Sequence, residues 1–174
     1  ATYVGVTARR WSGKRDWVES KAEGPWKEVK FFDADDLALW LEDCPATHLW
    51  LSALLGKDPQ DARALTTWWD GWISATSPAI SRDLVLAGRE GQGEELVRRV
   101  SGVPAVITVT ADSPDEAIAF VAASLAAGDD ASSEQLLARA VVVFTSRGWA
   151  RVLAAQRPGI LIPVFQDANV GAAV

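Results

Sequence analysis

The sequence predicts an α/β fold: a parallel sheet flanked by helices in the second half, and a smaller α/β unit with a helical, tryptophan-rich segment in the first. Three observations carry this expectation. Short β-rich runs such as Ala140–Thr145 alternate with stretches of helical periodicity. The strand-like runs of the second half are almost wholly apolar, the pattern of strands covered on both faces. A hydrophobic content of 49% over 174 residues suffices for one ordinary domain or two small ones.

Element by element, Tyr3–Thr7 alternates and is rich in β-formers, so it reads as a strand. Arg15–Ala22 reads as a short helix closed by Gly24-Pro25. Lys27–Phe32 is a strand with Val29 and Phe31 on one side. A helix follows through Leu37, Leu39, Trp40 and Leu41, with Asp33 or Asp35 suited to its N-cap. His48–Leu55 is an apolar helix ended by Gly56, and Asp61–Ala75 is a further helix carrying Trp68, Trp69 and Trp72. Then come a strand at Leu84–Ala87, a helix at Glu94–Val100 and a strand at Ala105–Thr110. Ser113–Ala127 opens with Ser-Pro-Asp-Glu, a cap, a first-turn proline and a capping-box glutamate, and reads as a long helix. Ala140–Thr145, Gly148–Ala155 and Gly159–Phe165 complete the order as strand, helix, strand.

Composition restricts the function. There are 17 basic against 23 acidic residues, a net charge of −6, which argues against a general nucleic-acid or membrane-surface binder. One cysteine, Cys44, and one histidine, His48, leave no disulfide framework and too few ligands for a structural zinc site. No apolar run is long enough to span a bilayer as a helix, and no signal peptide opens the chain, so the expected setting is cytoplasmic. Methionine is absent, which suggests an excised piece of a longer protein. Eight of the nine tryptophans and all five lysines fall within residues 1–77, and this shift of composition places a boundary near Thr76–Ala79.

Four groups of residues invite a chemical reading. The segment from Leu84 to Leu96 has the order strand, glycine-rich turn, helix, with Gly88, Gly91 and Gly93 in the turn. A phosphate-binding loop would continue with Lys and Ser/Thr to neutralise phosphate and hold magnesium. Here Glu94 and Glu95 stand instead, and no lysine follows Lys57. Two carboxylates would repel a triphosphate, so no cofactor is expected; simple turn chemistry explains the glycines equally. Glu28 and Lys30 have the E-x-K spacing of magnesium-dependent nucleases, with Asp16 as the only upstream carboxylate; an alternating half-exposed strand produces the same spacing. Arg9, Arg10, Lys14 and Arg15, interleaved with Trp11 and Trp17, form a basic-aromatic group that could meet DNA, or else a solvated loop with packed tryptophans. Asp33, Asp35 and Asp36 could hold a metal but suit capping, and His48 has no visible nucleophile beside it.

The run from Tyr3 to Trp11, together with Trp26–Leu37 and Trp40-Leu-Glu42, resembles the C-terminal part of Mrr-like restriction-endonuclease domains. The resemblance covers roughly residues 3–56 and implies that the family's catalytic Asp and E-x-K residues would lie before residue 1, making Glu28 and Lys30 coincidental. The second half is similar to the opening strands of signal-transduction P-loop ATPases with eroded nucleotide motifs. The resemblance thus implies a partial nuclease-like unit at 1–58, a helical connector at 59–80 and a degenerate P-loop-like domain at 81–174. Proteins that join such modules serve in bacterial anti-phage defence. The implied role is a non-catalytic scaffold or sensor, with the other domains of a longer parent as partners. A magnesium nuclease using Asp16, Glu28 and Lys30, or a nucleic-acid-binding module, are the alternatives.

Overall fold

The computed structural model describes residues 1–128, 131–155 and 159–164. It is a mixed α/β structure in which contacts define two compact units, residues 1–43 and 44–174. This division differs from the segments suggested by composition and resemblance. Ala46 and Leu49 pack in one apolar cluster with Ala62, Ala64, Val141 and Val143, which ties residues 45–54 to the second unit.

In the first unit, β1 (Thr2–Val6) and β2 (Glu28–Phe32) pair in parallel, Tyr3 opposite Val29 and Gly5 opposite Phe31, around the crossover helix α1 (Lys14–Ala22). Alternation sorts the sheet's two faces. Tyr3 and Phe31 gather Trp11, Trp17 and Trp26 on one of them: Trp11 and Trp17 meet the Phe31 ring edge-on at 4.7 and 5.1 Å, and Tyr3 lies 5.2 Å from Trp26. Phe32 meets Trp40 of α2 (Ala34–Asp43) at 4.3 Å on the other face. Large aromatic surfaces thus supply the core of a unit with few residues.

In the second unit, α3 (Pro45–Leu54) ends at Gly56, whose φ of 69° is the left-handed conformation glycine adopts without strain. β3 (Ala62–Ala64) precedes α4 (Leu65–Ile73), so the helix predicted from Asp61 begins later. Antiparallel pairing of Ala62 with Val143 and Ala64 with Val141 claims those residues for the sheet. β4 (Ala140–Val143) runs parallel to β5 (Ile160–Pro163), giving a small mixed sheet ordered β3-β4-β5 among the described residues. Phe165, the end of the predicted last strand, lies outside the described residues.

β4 is buried throughout, and its alternation divides the core. Ala140 and Val142 join Leu65, Trp68 and the buried face of α7 (Pro114–Leu125); Val141 and Val143 join α3 and Val152 of α9 (Ser146–Leu153). Every residue of α7 from Ile118 to Leu125 is buried, as expected of a helix enclosed on all sides. The remaining helices are α5 (Arg82–Leu86), α6 (Glu90–Val100) and α8 (Ala131–Leu137).

Two predicted strands are corrected. Leu84–Leu86 is helical within α5 and Ala87 caps its end: the Ser81 hydroxyl accepts the Leu84 amide at 3.2 Å as an N-cap, and Asp83 favours the first turn. Ala105–Thr110 joins no ladder among the described residues, although burial alternates along it, with Ile107, Val109 and Ala111 turned inward. Its period is that of a strand, but among the described residues it pairs with no other strand.

Candidate functional site

The glycine-rich segment is a turn between two helices. Gly88 takes a φ of 72° between α5 and α6, while Gly91 and Gly93 lie within the first turns of α6. Gly93 is there for packing, since a Cβ would come 3.1 Å from the Ser124 hydroxyl on α7. The Gly88 amide donates to the Glu90 carboxylate at 3.1 Å. The Glu90 amide and then the Gly88 amide hold that carboxyl below its ordinary range. The start of α6 therefore carries an anion of its own. Glu94 is exposed, and Glu95 accepts from Arg98 and, at 3.0 Å, from Arg99. Arg98 chiefly holds the Glu95 carboxyl below the usual range.

The predicted nuclease residues are dispersed. Asp16 lies exposed on α1, while Glu28 and Lys30 lie on β2 and pair with each other at 3.2 Å. Among the described residues no group of three His, Cys, Asp or Glu side chains is placed to hold a metal ion. The basic-aromatic group is partly neutralised: Arg10 meets Asp35 at 2.8 Å, and Lys14 meets Asp33 at 3.1 Å and Asp36 at 2.6 Å. Arg9 and Arg15 form no ion pair among the described residues, and Trp11 and Trp17 are core rings. His48 is exposed on α3 and Cys44 half-buried before it.

The site that sequence reasoning missed is a cleft of about 370 Å³ between α6, residues 107–111 and the middle of α7 at Phe120. α6 contributes Gln92, Leu96 and Arg99, and Arg89 stands just before its first turn. Their helical spacing puts Gln92, Leu96 and Arg99 on one face, the only signal of the cleft in the sequence. Ile107, Val109 and Phe120 give it an apolar floor. Arg89 is fixed at three points: Nη1 donates to Glu116 at 2.8 Å, Nη2 donates to the Val85 carbonyl at 2.7 Å, and the guanidinium carbon sits 5.7 Å from the Phe120 ring centre. Arg99 lines the cleft and donates Nε to Glu95.

Residues 104–111 followed by α7 recreate the order extended segment, turn, helix. That turn is also self-capped: Ser113 Oγ accepts the Glu116 amide at 3.1 Å, and Glu116 accepts the Asp112 amide at 3.3 Å. Carboxylates again stand where polyphosphate would require cations. What the cleft offers is an apolar floor, the guanidinium groups of Arg89 and Arg99, and the backbone of residues 107–111. No helix among the described residues is long and apolar enough to cross a membrane. Compared with family models, curated proteins and solved structures, the chain matches none.

Proposed function

We propose that this chain is a non-catalytic scaffold or sensor segment of a multidomain bacterial defence or restriction-type protein. In this reading its second half is a degenerate P-loop-like module with a parallel sheet flanked by helices, a reading supported by the parallel pairing of β4 with β5. The observation that carries it is the Glu90 carboxylate seated on the Gly88 amide. A loop that binds its own anion has no vacancy for a phosphate group, and the charge it presents repels one. The defence context rests on the resemblance of residues 3–56 and of the second half to the families named above.

The test is a calorimetric titration of the whole chain with ATP, with and without magnesium. No saturable heat is expected in either case. Micromolar, magnesium-dependent affinity would overturn the reading, because it would require cations that the loop lacks.

A further inference from the structure

Among the described residues, one wall of the cleft between α6 and residues 107–111 is backbone without hydrogen-bond partners. The amides of residues 105–111 and the carbonyls of 104–111 enter no hydrogen bond there, although burial alternates along the segment as in a strand. Backbone donors and acceptors left without partners are a template for another chain. The usual protections of such an edge are missing, since Ala105–Ala111 holds no charge, no proline and no glycine. Val106 is 79% exposed on the outward side.

The opposite wall fixes length and charge. Arg89 and Arg99 are ten residues apart, about 15 Å along a helix at 1.5 Å per residue. At about 3.3 Å per residue this spans roughly five residues of extended chain. Ile107–Ala111, the segment lining the cleft, has that length. The charged residues lining the cleft are Arg89, Arg99 and Glu95; Arg89 is matched by Glu116, and Glu95 is shared by Arg99 and Arg98. The excess positive charge lies at the Arg99 end.

We infer that this cleft is a strand-accepting site: residues 106–110 take an added β-strand from a partner polypeptide, with an apolar centre and an acidic residue against Arg99. Backbone pairing supplies the affinity, and Leu96, Phe120 and Arg99 supply the selection. The inference rests on the interaction role proposed above and names the partner's chemistry.

The probe is the blocked peptide Asp-Val-Thr-Val-Asp, titrated into the whole chain and followed by amide hydrogen exchange. Saturable binding that protects amides within 106–110 is expected. Two versions N-methylated at alternate residues, one for each edge of the peptide, separate pairing from side-chain binding; one of them should bind roughly tenfold more weakly, the effect of losing one or two hydrogen bonds. Arg99→Glu, at an exposed position, should weaken binding of the acidic peptide and favour its Lys-ended counterpart. Absence of binding, or binding indifferent to both N-methylated forms, overturns the inference. So does concentration-dependent dimerisation that protects the same amides, because the occupant would then be a second copy. The ATP titration is independent of these outcomes, so failure here leaves the non-catalytic reading standing, and ATP binding removes that reading whatever the peptide does.

Discussion

Asp33 is only 4% exposed and accepts hydrogen bonds from the Trp11, Asp35 and Asp36 amides as well as from Lys14. Lys14 above all holds its carboxyl well below the ordinary carboxylate range, and Asp36 first and then Asp33 raise the Lys14 ammonium above its own. The sign follows from linkage: the depressed carboxyl contributes stability in full above the unfolded aspartate pKa of about 4, and loses it as pH falls towards the folded value. Lys14 contributes below its unfolded pKa and loses its share as pH rises through the folded one. Asp33→Asn should therefore lower the melting temperature at neutral pH, and the gap from the parent should narrow below about pH 4. Thermal melts followed by tryptophan near-UV dichroism check this; equal melting at pH 7 would show that the clasp stabilises nothing. Gly148 is a second decisive residue. A Cβ there would strike the Asp61 carbonyl, which already accepts the Phe144 amide at 2.9 Å. Gly148→Ala should cost about 1–3 kcal/mol in urea unfolding, the usual range for overpacking against atoms that cannot retreat. The capping role of Asp33 is legible in the sequence. The clash at Gly148 is not, because Asp61 is distant along the chain.

Helix starts are the elements best read from sequence, because a cap acts within one turn. Ser113 caps α7 as expected, although Glu116 reaches Asp112 and Arg89 rather than closing the reciprocal half of a capping box. Ser113→Ala should cost about 1 kcal/mol in the same unfolding assay. Thr145→Ala should cost more, since its hydroxyl caps α9 through the Gly148 amide at 3.0 Å and also donates to Asp61 at 3.1 Å. A Thr145→Ala variant no less stable than Ser113→Ala would show that the Asp61 bond adds nothing. Strands are less legible. Leu84-Val-Leu-Ala has β-like composition, but four apolar residues fit a buried helix turn equally, and the cap at Ser81 decides for the helix. Ala62–Ala64 has no β signature, and only pairing with β4 makes it a strand.

At the scale of the whole molecule, the two units differ in their means of support. Residues 44–174 bury Leu65, Ile118, Leu125 and β4 in two apolar clusters divided by β4, whereas residues 1–43 rest on two strands and a set of aromatic rings. Fewer than about 60 residues bury too little surface for ready independence. An excised 44–174 fragment should unfold cooperatively, whereas an excised 1–43 peptide should lack the dichroism of fixed tryptophans. Within the larger unit, Leu125→Ala should cost about 2–5 kcal/mol, because the side chain is fully buried where α7 crosses the core. Cooperative melting of the isolated 1–43 peptide would refute this contrast.

By itself the sequence determined the α/β class, most helices, the caps at Asp33 and Ser113, the strands β1, β2, β4 and β5, and the missing cation at the glycine-rich turn. These depend on periodicity, on capping within a turn, and on which side-chain types exist at all. Tertiary structure alone decided that Ala62–Ala64 joins the sheet, that Lys14 belongs to Asp33 and Asp36, and that Arg89 and Arg99 line a cleft with an extended segment that pairs with no strand among the described residues. Those outcomes depend on contacts between residues far apart in the chain, and no local pattern specifies which distant group will arrive.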